Sequence, residues 1–361
     1  MQLRIPGPTP CHPRVLEAMA RQMIDHRGKE FADMLGRLTP KLKQIFQTKG
    51  DVFIITSSGT GGMEAAIVNT LSPGDKVLAT TCGFFGDRFA EIAETYGAQV
   101  TRLTFDMGKP VDPEAVRRAF QAAPDTKAIL VTHNESSTGV TNDVKTIASI
   151  AKEFGAMVLV DSVSGLSSID LPIDEWNLDV VATASQKGWM TPPGLAMISV
   201  SQTAWQAHAK AKMPRNYFDF TKARNFFEKG QTPWTPAVPV FFALEVACDL
   251  ILAEGLRNVF ARHARCAQTA REGVKAMGLT LLTDPKCASN TVTAVNAPPN
   301  LDVARMQKIL REEFQVYLAG GQGKLTGKIF RIGHLGWVTE NDMKEVLAAL
   351  AKVIPRAMIQ A

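Results

Sequence analysis

No uninterrupted apolar run in this 361-residue chain is long enough to cross a bilayer. The opening "MQLRIPGPTPCHP" lacks the charged-then-apolar order of a secretory signal. Cysteine is scarce: five residues, at 11, 82, 248, 266 and 287, odd in number and without a C-x-x-C pair. That argues against a disulfide framework or a zinc site and suits a reducing, cytoplasmic setting. Low-complexity segments and internal repeats are also missing. The net charge of +5 is modest for the length. Basic residues between Lys210 and Lys229 alternate with aromatics, but no nucleic-acid motif accompanies them, and a solvated helical face explains them. Nucleic-acid and membrane partners are therefore not expected.

What remains is a soluble globular composition with room for two domains. Short apolar strands alternate with helical spacing through the first half. "DVFIIT" (51–56), "DKVLAT" (75–80), 99–103, "KAILVT" (127–132), "AMVLVD" (156–161) and "LDVVATA" (178–184) read as strands. Helices are expected from about Gly61 to Leu71, over "FGDRFAEIAETYG", and over "VKTIASIAKEFG". This pattern indicates an α/β protein with a mostly parallel sheet covered on both faces. Beyond Ala237 the pattern changes to helices near 239–254, 256–277, 301–314 and 340–353, with strands near 278–282, 291–296 and 328–332. The expected division is an N-terminal arm (1–18), a large domain (19–250) and a small α+β domain (251–361).

Ligands of parallel sheets bind at the carboxyl ends of strands, and four such ends carry unusual chemistry. After the first strand comes "SSGTGGMEAAI". Ser58, Gly59 and Thr60 precede a helix, where small residues, hydroxyl donors and the helix field suit a phosphate. It is neither a Walker motif nor a dinucleotide fingerprint, which tells against a nicotinamide dehydrogenase. A Ser/Gly-rich helix start is equally the mark of an ordinary cap. "HNESSTGV" (133–140) crowds polar residues into one loop. Asp161 ends a buried strand and needs a donor or a cation. Lys187, in "SQKGW", stands just beyond another strand, where desolvation would lower its pKa and make the amine a nucleophile. Each feature alone has a bland alternative. Together they describe a ligand with a phosphate, a carbonyl carbon and a ring nitrogen, as in pyridoxal 5'-phosphate.

These pieces, with "PGPTP", "VLVDSVSGL", "TPWTPAVP" and "FRIGHLG", resemble the class V aminotransferases, which are fold type I pyridoxal-phosphate enzymes. The alanine–glyoxylate and serine–glyoxylate (or serine–pyruvate) branch is the most similar, over essentially the whole chain. The resemblance implies a transamination in which Lys187 forms the Schiff base and serves as base, with Asp161 on the pyridine nitrogen. It places Ser58, Gly59, Thr60 and Gln186 on the phosphate, and Ser136 near the ring oxygen. Phe85 falls where the family stacks an aromatic, often tryptophan. Thr235 matches a residue donated across a homodimer interface to the partner's phosphate, with Thr232 in support. Arg331 matches the arginine that grips the substrate carboxylate, and Gly7 lies near the substrate entrance.

The implied substrates are a small L-amino acid, alanine or serine, and a 2-oxo acid, glyoxylate or pyruvate. His12, His26, Arg27 and His334 could enter the pocket or be structural. Among alternatives, a 2-aminoethylphosphonate transaminase is the nearest rival. A cysteine desulfurase is disfavoured because "VYLAGGQGKLTGKIF" holds no cysteine. Some proteins similar to this branch carry a hydrogenase-subunit label, but the chain has no cysteine cluster for nickel or iron–sulfur. A non-catalytic scaffold would not need lysine, aspartate and arginine together.

Overall fold

The computed structural model describes residues 1–359. The main sheet has seven strands: β1 (Asp51–Ser57), β2 (Lys76–Thr81), β3 (Gln99–Thr104), β4 (Ala128–Thr132), β5 (Met157–Asp161), β6 (Val180–Ala184) and β7 (Gly194–Val200). Their order across the sheet is β1-β7-β6-β5-β4-β2-β3. β3, β2, β4, β5 and β6 pair in parallel. β7 runs antiparallel to both neighbours, β6 and β1. The expected α/β architecture is therefore present, with one reversed strand that the alternating pattern did not reveal. Its reversal follows from chain length: the link 185–193 is too short for a helical crossover, so the chain must turn straight back.

The strands are continuously apolar because both faces are covered. Ile129, Val131, Val158 and Val160 join one apolar cluster with α1 (Lys29–Phe46). Ala128, Leu130 and Leu159, pointing the other way, join a second cluster with α2 (Gly59–Thr70) and α3 (Phe84–Thr95). The first cluster also takes the nearly all-buried face of α4 (Val238–Glu254). A third cluster, from Cys266 to Ala357, lies under a small antiparallel sheet of β8 (Val292–Asn296), β9 (Ala319–Gly320) and β10 (Ile329–Gly333).

The stretch 278–282 is not a strand, contrary to expectation. It lies beside β8 and makes a single bridge, Leu281 to Val295. The ladder stops because Thr283 turns away and donates its hydroxyl to Thr138 O at 2.6 Å.

The N-terminal residues tie the two parts together. Gln2–Leu3 pairs in parallel with Val316–Tyr317. Arg4 O accepts from Gly333 N at 2.7 Å, and Thr9 N donates to Gln186 O at 3.1 Å. The first residues thus run from the small sheet to the loop that carries Lys187.

Candidate active site

Register brings the chemically unusual strand ends to one edge. Thr132 stands opposite Asp161, Asp161 opposite Ala182, and Ser57 opposite Gly194. The 185–193 loop is braced from within. Ser185 Oγ donates to Pro192 O at 2.7 Å, and the fully buried Trp189 donates Nε1 to Thr183 Oγ1 at 3.1 Å. Lys187 projects from this rigid turn into the interior and is 9% exposed. Its Nζ donates to Pro6 O at 2.6 Å. Gly7 adopts φ +139°, and a Cβ there would stand 2.7 Å from Lys187 Nζ and Cδ, so only glycine fits. Burial lowers the Lys187 pKa to about 8, with Arg331 and Arg88 acting the same way and Asp161 opposing.

Asp161 is buried, and burial raises its pKa to about 7. Val163 N donates to its Oδ1 at 2.9 Å, the only hydrogen bond to this carboxyl among the described residues. Beneath it His133 bonds Ser162 Oγ through Nδ1 at 2.9 Å, and burial lowers its pKa to about 4, so the ring is neutral.

The glycine-rich segment opens α2 as expected, two residues earlier than the spacing predicts. Ser58 is exposed at the helix start, and its side chain makes no capping bond. The first turn therefore keeps free N–H groups for an anion. A Cβ on Gly59 would come within 2.6 Å of Val163, so the helix start packs directly beside the Asp161 turn. The Gln186 side chain, next to Lys187 in sequence, makes no hydrogen bond among the described residues, and its Oε1 is buried.

Phe85 sits at the start of α3, with Lys187 Nζ 6.0 Å from its ring centre. One residue here escaped sequence reasoning, and a second was placed in a polar loop without its partners. Arg88 lies 5.1 Å over the Phe85 ring and donates to Thr60 Oγ1 at 3.2 Å. Its spacing, one helical turn beyond Phe85, was the available signal. The second is the cap of α3. Buried Glu135 accepts from Phe85 N and Gly86 N at 3.0 Å each and from Ser137 N at 3.1 Å. This contact links residues fifty positions apart, so no local pattern could announce it.

Arg331 lies on β10 and is 5% exposed. The sequence reading expected the substrate's carboxylate as its partner, and among the described residues no protein carboxylate pairs with it. Instead Nε donates to Gly320 O at 2.9 Å, and Nη1 donates to Ser136 O at 2.9 Å and Gln322 Oε1 at 3.2 Å. Nη2 has no partner among the described residues. Burial lowers the guanidinium pKa to about 10. A buried cation held only by neutral acceptors is prepared for an anion from outside. Ser136 meets this site through its carbonyl.

Thr235 is exposed and makes no hydrogen bond among the described residues. Thr232 bonds Trp234 O at 2.8 Å. The four uncertain residues divide as follows. His334 is fully buried between Thr293 Oγ1 and Asn290 O, with its pKa lowered to about 3 by burial. Arg27 braces the 231–233 loop through Thr232 O and Pro233 O. His12 caps the Pro13–Ala18 helix. His26 makes no side-chain hydrogen bond among the described residues.

The geometry can hold a phosphate at the α2 start and form an imine at Lys187. Opposite the lysine, Asp161 can hold a proton on a ring nitrogen. Pyridoxal phosphate asks for these three things, and the uncapped helix turn, with the Gln186 Nε2 that no described residue engages, leaves donors for its phosphate. This arrangement on this sheet defines a pyridoxal-phosphate-dependent transaminase.

More narrowly, the chain belongs to the class V aminotransferases, whose family profile matches residues 5–331. It is 42% identical to the soluble hydrogenase 42 kDa subunit of Anabaena cylindrica, over 98% of this chain and 93% of that one. It is 38% identical to the L-aspartate–glyoxylate aminotransferase of Paracoccus denitrificans, over 93% of this chain and 86% of the other. The crystal structure of an alanine–glyoxylate aminotransferase from Nostoc superposes with a TM-score of 0.94 at 29% identity, covering 97% and 94% of the two chains. No helix among the described residues is long and apolar enough to cross a membrane.

Proposed function

We propose that the enzyme moves the amino group of a small L-amino acid, alanine or serine, to a 2-oxo acid, glyoxylate or else pyruvate. The observation that carries this is Arg331, a buried guanidinium that acts on Lys187 electrostatically and whose Nη2 has no partner among the described residues. It binds the α-carboxylate of donor and acceptor in turn. The likeness to glyoxylate-using aminotransferases supports the acceptor.

Bound pyridoxal phosphate supplies an aldehyde to carry the amino group and a ring that withdraws electrons. Ser58, Gly59, Thr60 and Gln186 would hold its phosphate, Phe85 would pack against its ring, and Asp161 would keep a proton on the ring nitrogen. Lys187 would anchor the group through Nζ, and the same amine, when free, would take the proton from the substrate Cα and hand it to the carbon that had been the aldehyde.

The working unit is a homodimer, with Thr235 reaching the partner's phosphate site. Its exposure and lack of hydrogen bonds among the described residues support this role. The chain divides into the arm 1–18, a cofactor domain 19–250 and a small domain 251–361. Two separate apolar clusters support two core-bearing parts, with Ile251 and Val259 still packed in the first and Cys266 opening the second. Five unpaired cysteines support a cytoplasmic setting.

The test is a donor panel of L-alanine, L-serine, L-aspartate and 2-aminoethylphosphonate, each with glyoxylate or pyruvate. Alanine or serine with glyoxylate is expected to give the highest kcat/KM. A clear preference for aspartate or the phosphonate would overturn the donor assignment.

A further inference from the structure

We propose that Gln322 is the second donor to the substrate carboxylate, completing the pocket that Arg331 begins. The proposal rests on the transaminase reading above.

The loop that carries Gln322 is preorganised. Gln322 O accepts from Leu325 N at 3.0 Å, and Gly321 N donates to Ile329 O at 3.1 Å. A short 3-10 turn, Gly323–Leu325, lies between these two bonds. The side chain emerges half-buried and meets Arg331 Nη1 at 3.2 Å. Chemistry decides which end of the amide makes this contact. A guanidinium only donates, so the atom facing it must be the amide oxygen. The Nε2 end then points elsewhere, and among the described residues no acceptor meets it. Gln322 also borders a cavity of about 390 Å³ with Phe84 and Ser137, the chain neighbours of Phe85 and Ser136.

The guanidinium's own bonds define what this free donor is for. Nε and both hydrogens of Nη1 are committed to Gly320 O, Ser136 O and Gln322 Oε1. Only Nη2 is left for a substrate. A carboxylate offers two oxygens, and binding it at one edge nitrogen leaves the other oxygen underused. Gln322 is attached to the same guanidinium and carries unpaired N–H groups, so it can serve that oxygen without displacing any existing bond. It is a recognition residue and takes no part in proton transfer.

The experiment follows the absorbance change when cofactor-loaded enzyme is titrated with L-alanine or L-serine. It compares wild type with Gln322→Leu and Gln322→Glu. Losing a hydrogen bond to a charged group predicts that Gln322→Leu weakens apparent amino-acid affinity about tenfold or more. The loss should lie in affinity rather than in the limiting rate. Gln322→Glu puts an anion on Arg331 and should weaken affinity further. Ethylamine, which lacks the carboxylate, should react equally poorly with all three proteins. Cofactor absorbance and melting temperature report whether each variant is folded and loaded.

Unchanged affinity in folded, loaded Gln322→Leu overturns the proposal, as does tighter binding, which would make Gln322 a plug that substrate must displace. An equal effect on ethylamine also overturns it. Wild-type enzyme that responds to no amino acid would instead bring down the transaminase reading, and this inference with it.

Discussion

At Lys187, burial does more than hide the side chain. A solvated lysine is almost wholly protonated at neutral pH and cannot attack an aldehyde. Here desolvation outweighs the attraction of Asp161, and the pKa falls to about 8. The neutral amine is the reacting form, and its fraction rises with pH until the pKa is passed. Cofactor-free protein mixed with pyridoxal phosphate should therefore bind it faster as pH rises, roughly tenfold per unit below about 8, with a plateau above. Stopped-flow absorbance between pH 6 and 10.5 reads this directly. A rate still climbing at pH 10 would mean that Nζ is solvated and that the contact with Pro6 O does not persist. Lys187 and Asp161 were legible in the sequence because each follows an apolar strand in which a charge is out of place. The Pro6 contact was not, because it depends on how the first residues cross the molecule.

Among the elements, α3 shows what a linear reading cannot reach. Its helical spacing and Phe85 were evident, but its N-terminal N–H groups are satisfied by Glu135 from the loop after β4. Sequence reasoning placed Glu135 in a crowded polar loop without assigning its partners. Arg331 illustrates the same limit, since two of its three acceptors, Gly320 O and Ser136 O, are backbone carbonyls, which carry no residue signature. The reversed β7 was missed for another reason: an apolar strand looks the same in either direction, and only the short link before it betrays the turn. Glu135 thereby fixes the helix that presents Phe85 and Arg88 to the site. Replacing it with leucine strips the acceptor from three N–H groups, of Phe85, Gly86 and Ser137. The expected cost is at least about 3 kcal/mol, whereas Glu135→Gln, which keeps an oxygen, should cost about 1. Urea unfolding of the two variants separates the cases. A leucine variant within about 1 kcal/mol of wild type would show that these donors find other acceptors.

Across the whole molecule, the distribution of the site over the chain becomes the question. Lys187, Asp161 and the α2 start converge within one chain, but Thr235 stays on the surface. Its loop is nevertheless held in place: Arg27 grips Thr232 O and Pro233 O, and Trp234 stacks on Tyr217 with ring centres 5.7 Å apart. A braced loop that presents an unbonded hydroxyl outward suits a partner's phosphate better than solvent. In a twofold dimer the exchange must be mutual, so each site combines Lys187 of one chain with Thr235 of the other. Two inactive variants can then rescue each other. Lys187→Ala removes the amine, and Thr235→Asp sets a negative charge against the phosphate. In a mixed dimer one site carries both defects and the other carries neither. Random reassociation of equal amounts should restore about a quarter of the wild-type sites, although each variant alone is inactive. Activity after mild unfolding and refolding of the mixture, compared with each variant treated alone, measures this. If the mixture gains nothing while its chains exchange, Thr235 does not serve a neighbouring site, and each chain carries its chemistry alone.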